Sequence, residues 1–159
     1  LHRPGHSPSD TVFWDEERRI LIAADHLLPK ISSNPLITRP LDGSNKRTQA
    51  LVTYVESLQK TREMSAEIVL PGHGEAITGH AELIDSRMAG YDRRKEKIYR
   101  LVAERPRSGY EIAQALWGNV AVTQAFLTLS EVIGHADLLV NEGRVREADD
   151  GSVIRYEAA

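Results

Sequence analysis

The spacing of apolar positions changes near Gly79. Before it, apolar residues form short unbroken runs separated by turns, with one helical segment. After it, they recur every three or four residues. The clearest run is Ile20–Ala24, which leads directly into Asp25 and His26. A continuous apolar run of this length reads as a strand buried on both faces. Thr11–Trp14 is a second β-prone run, and Asp15–Arg18 is a charged turn before a strand over Arg19–Ala24. Together they predict an antiparallel hairpin. It carries His6 before its first strand and Asp25 after its second, at the same end of the sheet.

Leu27–Gly43 contains Pro29, Pro35 and Pro40, which forbid a regular helix. This segment is either a functional loop or a surface connection. Ser44–Met64 reads as a helix, with Leu51, Val55 and Leu58 at helical spacing and Tyr54 beside them. Ala66–Leu70 is a short strand, followed by Pro71-Gly72-His73-Gly74. His80–Arg105 is charged and helical, with Gly90 as a candidate divider. Ser108-Gly109-Tyr110-Glu111 has the spacing of a capping box. A further helix fits within Val120–Val140, stopped by Asn141-Glu142-Gly143. Arg144–Glu147 and Ser152–Tyr156 flank the hairpin turn Ala148-Asp149-Asp150-Gly151. Three helices followed by a hairpin is the order of a winged helix.

Composition bounds the chemistry. With 159 residues, 41% hydrophobic and 27% charged, the chain has room for one domain and a small appendage. A net charge of −3 gives no global attraction to nucleic acid or an anionic membrane. No run approaches the roughly 20 apolar residues of a membrane span, and no signal peptide is visible, so a cytoplasmic location is expected. The sequence contains no cysteine, so any metal must be held by His, Asp or Glu.

Asp25 ends an apolar strand, where a carboxylate is costly to bury without compensation. A metal ion, an arginine or capping backbone amides would each serve. His6 follows Pro-Gly, and His73 lies between two glycines just past a strand. Each position alone is weak evidence, because Pro-Gly is an ordinary turn. Of the other histidines, His26 should point away from Asp25, since neighbours on an extended strand face opposite ways. His80 and His135 fit solvated surface positions, and His2 lies in a flexible end.

Taken together, the three contexts resemble the second half of the metallo-β-lactamase superfamily. In that family a Pro-Gly-His-(Ser/Thr) loop supplies a ligand, as Pro4-Gly5-His6-Ser7 would here. A strand ending in (Gly/Ala)-Asp supplies a carboxylate that bridges two metals, as Ala24-Asp25 would. A late Gly-His loop ligates the second metal, as Gly72-His73-Gly74 would. Asp25–Pro29 and Ile31–Pro35 resemble a branch that carries a C-terminal winged-helix-like domain. The resemblance implies an α/β fold: the second half of an αββα sandwich over 1–79, then a linker helix and a mainly α winged-helix-like domain over 80–159. The second domain would pack against the first and border a substrate cleft.

The implied activity is hydrolysis of an ester, thioester or phosphodiester, with a small molecule or RNA as substrate and two zinc ions as cofactor. His6, Asp25 and His73 are the implied ligands, and no separate protein nucleophile is expected. The family's His-x-His-x-Asp-His motif is absent from the chain. Without it, each metal keeps two ligands, short of a closed four-coordinate site. The chain is therefore expected to be a C-terminal portion, inactive alone, either left after loss of the first half or paired as a homodimer that covers its exposed sheet.

Two other readings compete. A winged helix could bind DNA, but Ser108–Glu142 contains no Lys or Arg, and groove-reading helices usually carry them. DNA is thus a poor partner for this chain. The third reading is a non-catalytic interaction scaffold.

Overall fold

A computed structural model of the chain describes residues 1–40, 43–44, 46–149 and 151–159. Leu41 and Asp42 of the expected loop, Asn45 of the expected helix start and Asp150 of the expected hairpin turn lie outside the described residues. The chain divides into two compact units, Leu1–Gly90 and Tyr91–Ala159.

In the first unit, β1 (Phe13–Asp15) and β2 (Ile20–Ala24) form the expected antiparallel hairpin, with Phe13 opposite Ile22. After a long loop comes α1 (Ala50–Arg62), six residues shorter at its start than its apolar spacing suggested. Next, β3 (Ile68–Pro71) lies parallel to β2, giving the sheet order β1-β2-β3. A parallel pair requires a crossover, and α1 provides it. The crossover brings the carboxyl ends of β2 and β3 to the same edge.

The strands are buried on one face only. Leu21 and Val69 are fully buried, packed in a core with Val12, Leu51, Leu58 and Ile84. On the other face Phe13 is 66% exposed and Ile22 50%, and the register aligns Phe13, Ile22 and Leu70 in one row across the sheet. Burial of β2 on both faces, expected from its unbroken apolar run, is therefore not seen. An apolar run reports what a strand can bury, and a second layer must be present to bury it.

The helix α2 (His80–Glu104) runs unbroken through Gly90, which does not divide it, and it contributes residues to both units. A lone glycine costs a helix only about 1 kcal/mol relative to alanine, which 25 residues of helix absorb. The second unit continues with β4 (Arg107–Ser108), α3 (Gly109–Trp117), the short α4 (Val120–Thr123) and α5 (Ala125–Asn141). It closes with the hairpin β5 (Val145–Asp149) and β6 (Ile154–Ala158). The sheet order is β4-β6-β5. The two-residue β4 has no periodicity of its own, and only pairing with β6 reveals it. Ile98, Ile112, Val132, Leu139 and Tyr156 centre this unit's core. Among the described residues no helix is long and apolar enough to cross a membrane.

Candidate metal centre

Three loops meet at the carboxyl edge of the first sheet. The antiparallel β1–β2 pairing brings the loop before β1, with His6, to the end of β2. The β2–α1–β3 crossover brings the loop after β3, with His73, to the same place. Asp25 sits between them. Its Oδ2 lies 3.9 Å from His6 Nε2, and its Oδ1 lies 3.8 Å from His73 Nε2. Each carboxylate oxygen thus faces a different imidazole. Both separations exceed a hydrogen bond. They are roughly twice a zinc–ligand distance of about 2.0–2.2 Å. All three side chains are partly open to solvent, Asp25 at 44%.

The local backbone explains how Asp25 reaches this position. β2 bulges between Ile22 and Ala24, and Ala24 adopts a φ of +44°. This left-handed conformation is uncommon for a residue with a Cβ, and bulges of this kind re-aim side chains beside functional sites. Asp25 and His26 therefore lie in a turn beyond the strand. Gly72 donates its N–H to the Ala24 carbonyl at 2.8 Å. A Cβ at Gly72 would stand 2.4 Å from Asp25 Oδ1, so a larger residue there would push the carboxylate out of this position. A Cβ at Gly74, whose φ is +89°, would stand 2.8 Å from Pro29 Cγ. The Ser33 hydroxyl donates to the Asp25 carbonyl.

The remaining histidines are occupied elsewhere. His26 is buried against the Tyr54 ring while Asp25 stays partly exposed; the two lie in a turn, so the strand alternation expected to separate them does not apply. Its Nε2 lies 2.9 Å from Thr61 Oγ1. Burial pushes its pKa down to about 4, with the Arg3 charge adding to the effect and Asp10 opposing it. His80 and His135 are not the solvated surface residues their polar neighbours suggested. His80 is buried, with Nε2 3.0 Å from the Met64 carbonyl. His135 is buried beside Tyr91, its Nδ1 2.8 Å from the Glu131 carbonyl. An imidazole can satisfy a buried carbonyl at short range, so charged sequence neighbours on a helix do not fix its exposure. His2 pairs with Thr11 in a β-bridge instead of fraying.

The donor set suits a metal. Imidazole and carboxylate are good zinc ligands. His6 Nδ1 is buried without a hydrogen-bond partner, and Nε2 is the nitrogen turned to Asp25. The glycine cradle holds the carboxylate against the β3 loop. The set is incomplete in this chain, however. Among the described residues no group of three or more His, Asp or Glu side chains could hold a metal ion. His6–Asp25 and Asp25–His73 are two pairs that share one carboxylate. Beside the His6 loop, Pro4, Gly5, Pro8, Thr38 and Thr53 line a cavity of about 170 Å³.

The sequence pattern pointed to these three residues but missed Ser33, Ser57 and Thr61. Their signal was faint: Tyr54, Ser57 and Thr61 are polar groups spaced along the apolar face of α1.

No protein-family model matches the chain. The chain is 34% identical over 157 residues to the probable metallo-hydrolase YqjP of Bacillus subtilis (strain 168), covering 99% of this chain and 49% of that protein. A solved β-lactamase domain protein from Burkholderia ambifaria superimposes with a TM-score of 0.83 at 31% identity, over 98% of this chain and 46% of that one. The metallo-β-lactamase family protein TTHA1429 from Thermus thermophilus shares the fold, with a TM-score of 0.81 at 24% identity over 100% of this chain and 48% of its own. The chain thus spans about half the length of each of these relatives. Matching them over nearly its whole length in both sequence and fold, it belongs to the metallo-β-lactamase superfamily.

Proposed function

We propose that the chain is the C-terminal portion of a metal-dependent hydrolase, with His6, Asp25 and His73 as its contribution to a dinuclear zinc site. The observation that carries this reading is the split carboxylate of Asp25, whose two oxygens face two different imidazoles. Asp25 would hold a negative charge between two cations, and His6 and His73 would each offer a neutral Nε2 to one of them. A bound metal pair supplies Lewis acidity and lowers the pKa of water toward 7, which makes hydroxide available for hydrolysis. The chain's own part is positioning: the Gly72 cradle and the Ala24 bulge fix the shared carboxylate before any metal arrives. An ester, thioester or phosphodiester, in a small molecule or RNA, is the substrate class that suits this chemistry. The similarity to YqjP, named a probable metallo-hydrolase, supports the reaction class.

Because the histidine-rich motif is not in the chain, we read the chain alone as inactive, and the exposed apolar row of Phe13, Ile22 and Leu70 as a surface to be covered. A homodimer is one way to cover it. The second unit, with its β4-β6-β5 sheet behind three helices, suits a winged-helix-like module. Its longest helix within the module, α5, carries Glu131 and Asp137 and no Lys or Arg, which disfavours DNA as its partner.

The deciding measurement is metal content by plasma mass spectrometry after dialysis without chelator, on this chain and on the complete protein. We expect almost no metal on the chain, about two zinc ions on the complete protein, and loss of metal and hydrolysis from the latter in Asp25→Asn. An Asp25→Asn protein with full metal content and activity refutes the assignment.

A further inference from the structure

The face of α1 that meets the site is not simply apolar. Tyr54, Ser57 and Thr61 are all buried on it. Their spacing of three and four residues aligns them on one side of the helix. Buried polar groups need partners, and these find them in the two loops that carry His6 and Asp25. The Ser57 hydroxyl donates to the Pro4 carbonyl at 2.7 Å, two residues before His6. The Tyr54 hydroxyl donates to the His26 carbonyl at 2.8 Å, one residue after Asp25. Thr61 Oγ1 holds the His26 ring at 2.9 Å. Tyr54 touches both loops, because Gly5 lies flat on its other end. A Cβ at Gly5 would come within 2.4 Å of Tyr54 Cβ and 2.5 Å of its Cα.

One helix face therefore grips both loops at once. Apolar contact alone would bury the same surface, but it tolerates sliding. Hydrogen bonds are directional and hold a carbonyl at one distance from its donor. We infer that Tyr54 and Ser57 are positioning residues which, through the Pro4 and His26 carbonyls, set His6 and Asp25 at the spacing the metal requires. This inference rests on the metal-centre reading above. Neither residue touches the metal in this scheme. Each acts through a loop, as outer partners of metal ligands do.

The test is Co²⁺ titration of the complete protein, followed by visible absorption, with thermal unfolding measured in parallel. His6→Ala and Asp25→Asn come first and should weaken Co²⁺ binding. Tyr54→Phe and Ser57→Ala, which each delete one hydroxyl, should each weaken it about tenfold and alter the absorption band. Ser57→Thr, which keeps a hydroxyl, should restore binding. In a His6→Ala background Ser57→Ala should cost no further affinity, because its effect runs through the His6 loop. Leu58→Val, buried on the same helix but unable to hydrogen-bond, should lower the melting temperature and leave Co²⁺ binding intact. If Tyr54→Phe and Ser57→Ala behave like Leu58→Val, with wild-type affinity and spectrum, the positioning role is overturned while the metal site stands. If His6→Ala and Asp25→Asn leave Co²⁺ binding unchanged, the metal centre itself is refuted and the positioning role with it.

Discussion

Single glycines set how closely the loops of the site approach their neighbours. At Gly72 a methyl group would collide with the Asp25 carboxylate at 2.4 Å and crowd the Ala24 carbonyl carbon at 3.1 Å. Gly72→Ala should therefore rotate Asp25 away and cut metal affinity of the complete protein by about tenfold or more, with its fold retained. Isothermal titration with Zn²⁺ and circular dichroism check both halves. Gly5→Ala acts differently. It places a Cβ against helix backbone at 2.5 Å, at a φ of +152° that favours glycine. Neither neighbour can yield, so the variant should lose about 1–3 kcal/mol of stability in urea unfolding, the usual cost of overpacking. The sequence placed glycines beside both histidines, and the reason for them was partly visible as the turns they permit. The contacts that constrain them join residues 5 and 54, and 72 and 25, which no local pattern relates.

At the scale of elements, capping was the most legible feature. Ser108 and Glu111 form the reciprocal box their spacing implied: Ser108 N–H donates to Glu111 Oε2 at 2.8 Å, and Glu111 N–H to Ser108 Oγ at 3.2 Å. Ser108→Ala should cost about 1 kcal/mol, seen as a lower urea midpoint at unchanged slope. The Ser108 amide and the Arg105 guanidinium hold the Glu111 carboxyl down to about 2, from an ordinary 4.5. The unfolded chain then binds a proton that the folded chain refuses. This contribution is complete above pH 4.5 and is lost as pH falls toward 2. Glu111→Gln should therefore lower stability at neutral pH and flatten its decline over that acid window, which urea unfolding at stepped pH measures. Element ends were less legible. The bulge at Ala24 and the two-residue β4 both depend on a partner strand, and a partner strand is not a property of the segment itself.

For the whole molecule the governing fact is the one-sided first sheet. Phe13, Ile22 and Leu70 form an exposed apolar row while Leu21 and Val69 behind them are fully buried. Self-pairing through this row is the proposal to test, because an exposed apolar face loses its contact with water when a partner covers it. If the chain pairs with itself through this row, light scattering should give twice the 17.7 kDa chain mass, and Ile22→Lys should return a monomer. A wild-type chain that runs as a monodisperse monomer excludes self-pairing as the way this face is covered.

The sequence by itself determined the elements and their local contexts: the hairpin, the helix that follows the long loop, the capped α3, and the turns in which His6, Asp25 and His73 stand. These depend on short-range periodicity, on turn residues and on donor type, all of which are local. Only the tertiary structure decided that Asp25 divides its oxygens between two imidazoles, that α1 grips both loops, and that His80 and His135 are buried. Each of those outcomes is a contact between segments separated along the chain or packed around it. Such a contact is fixed by strand register and packing, and neither is written in any one stretch of the chain.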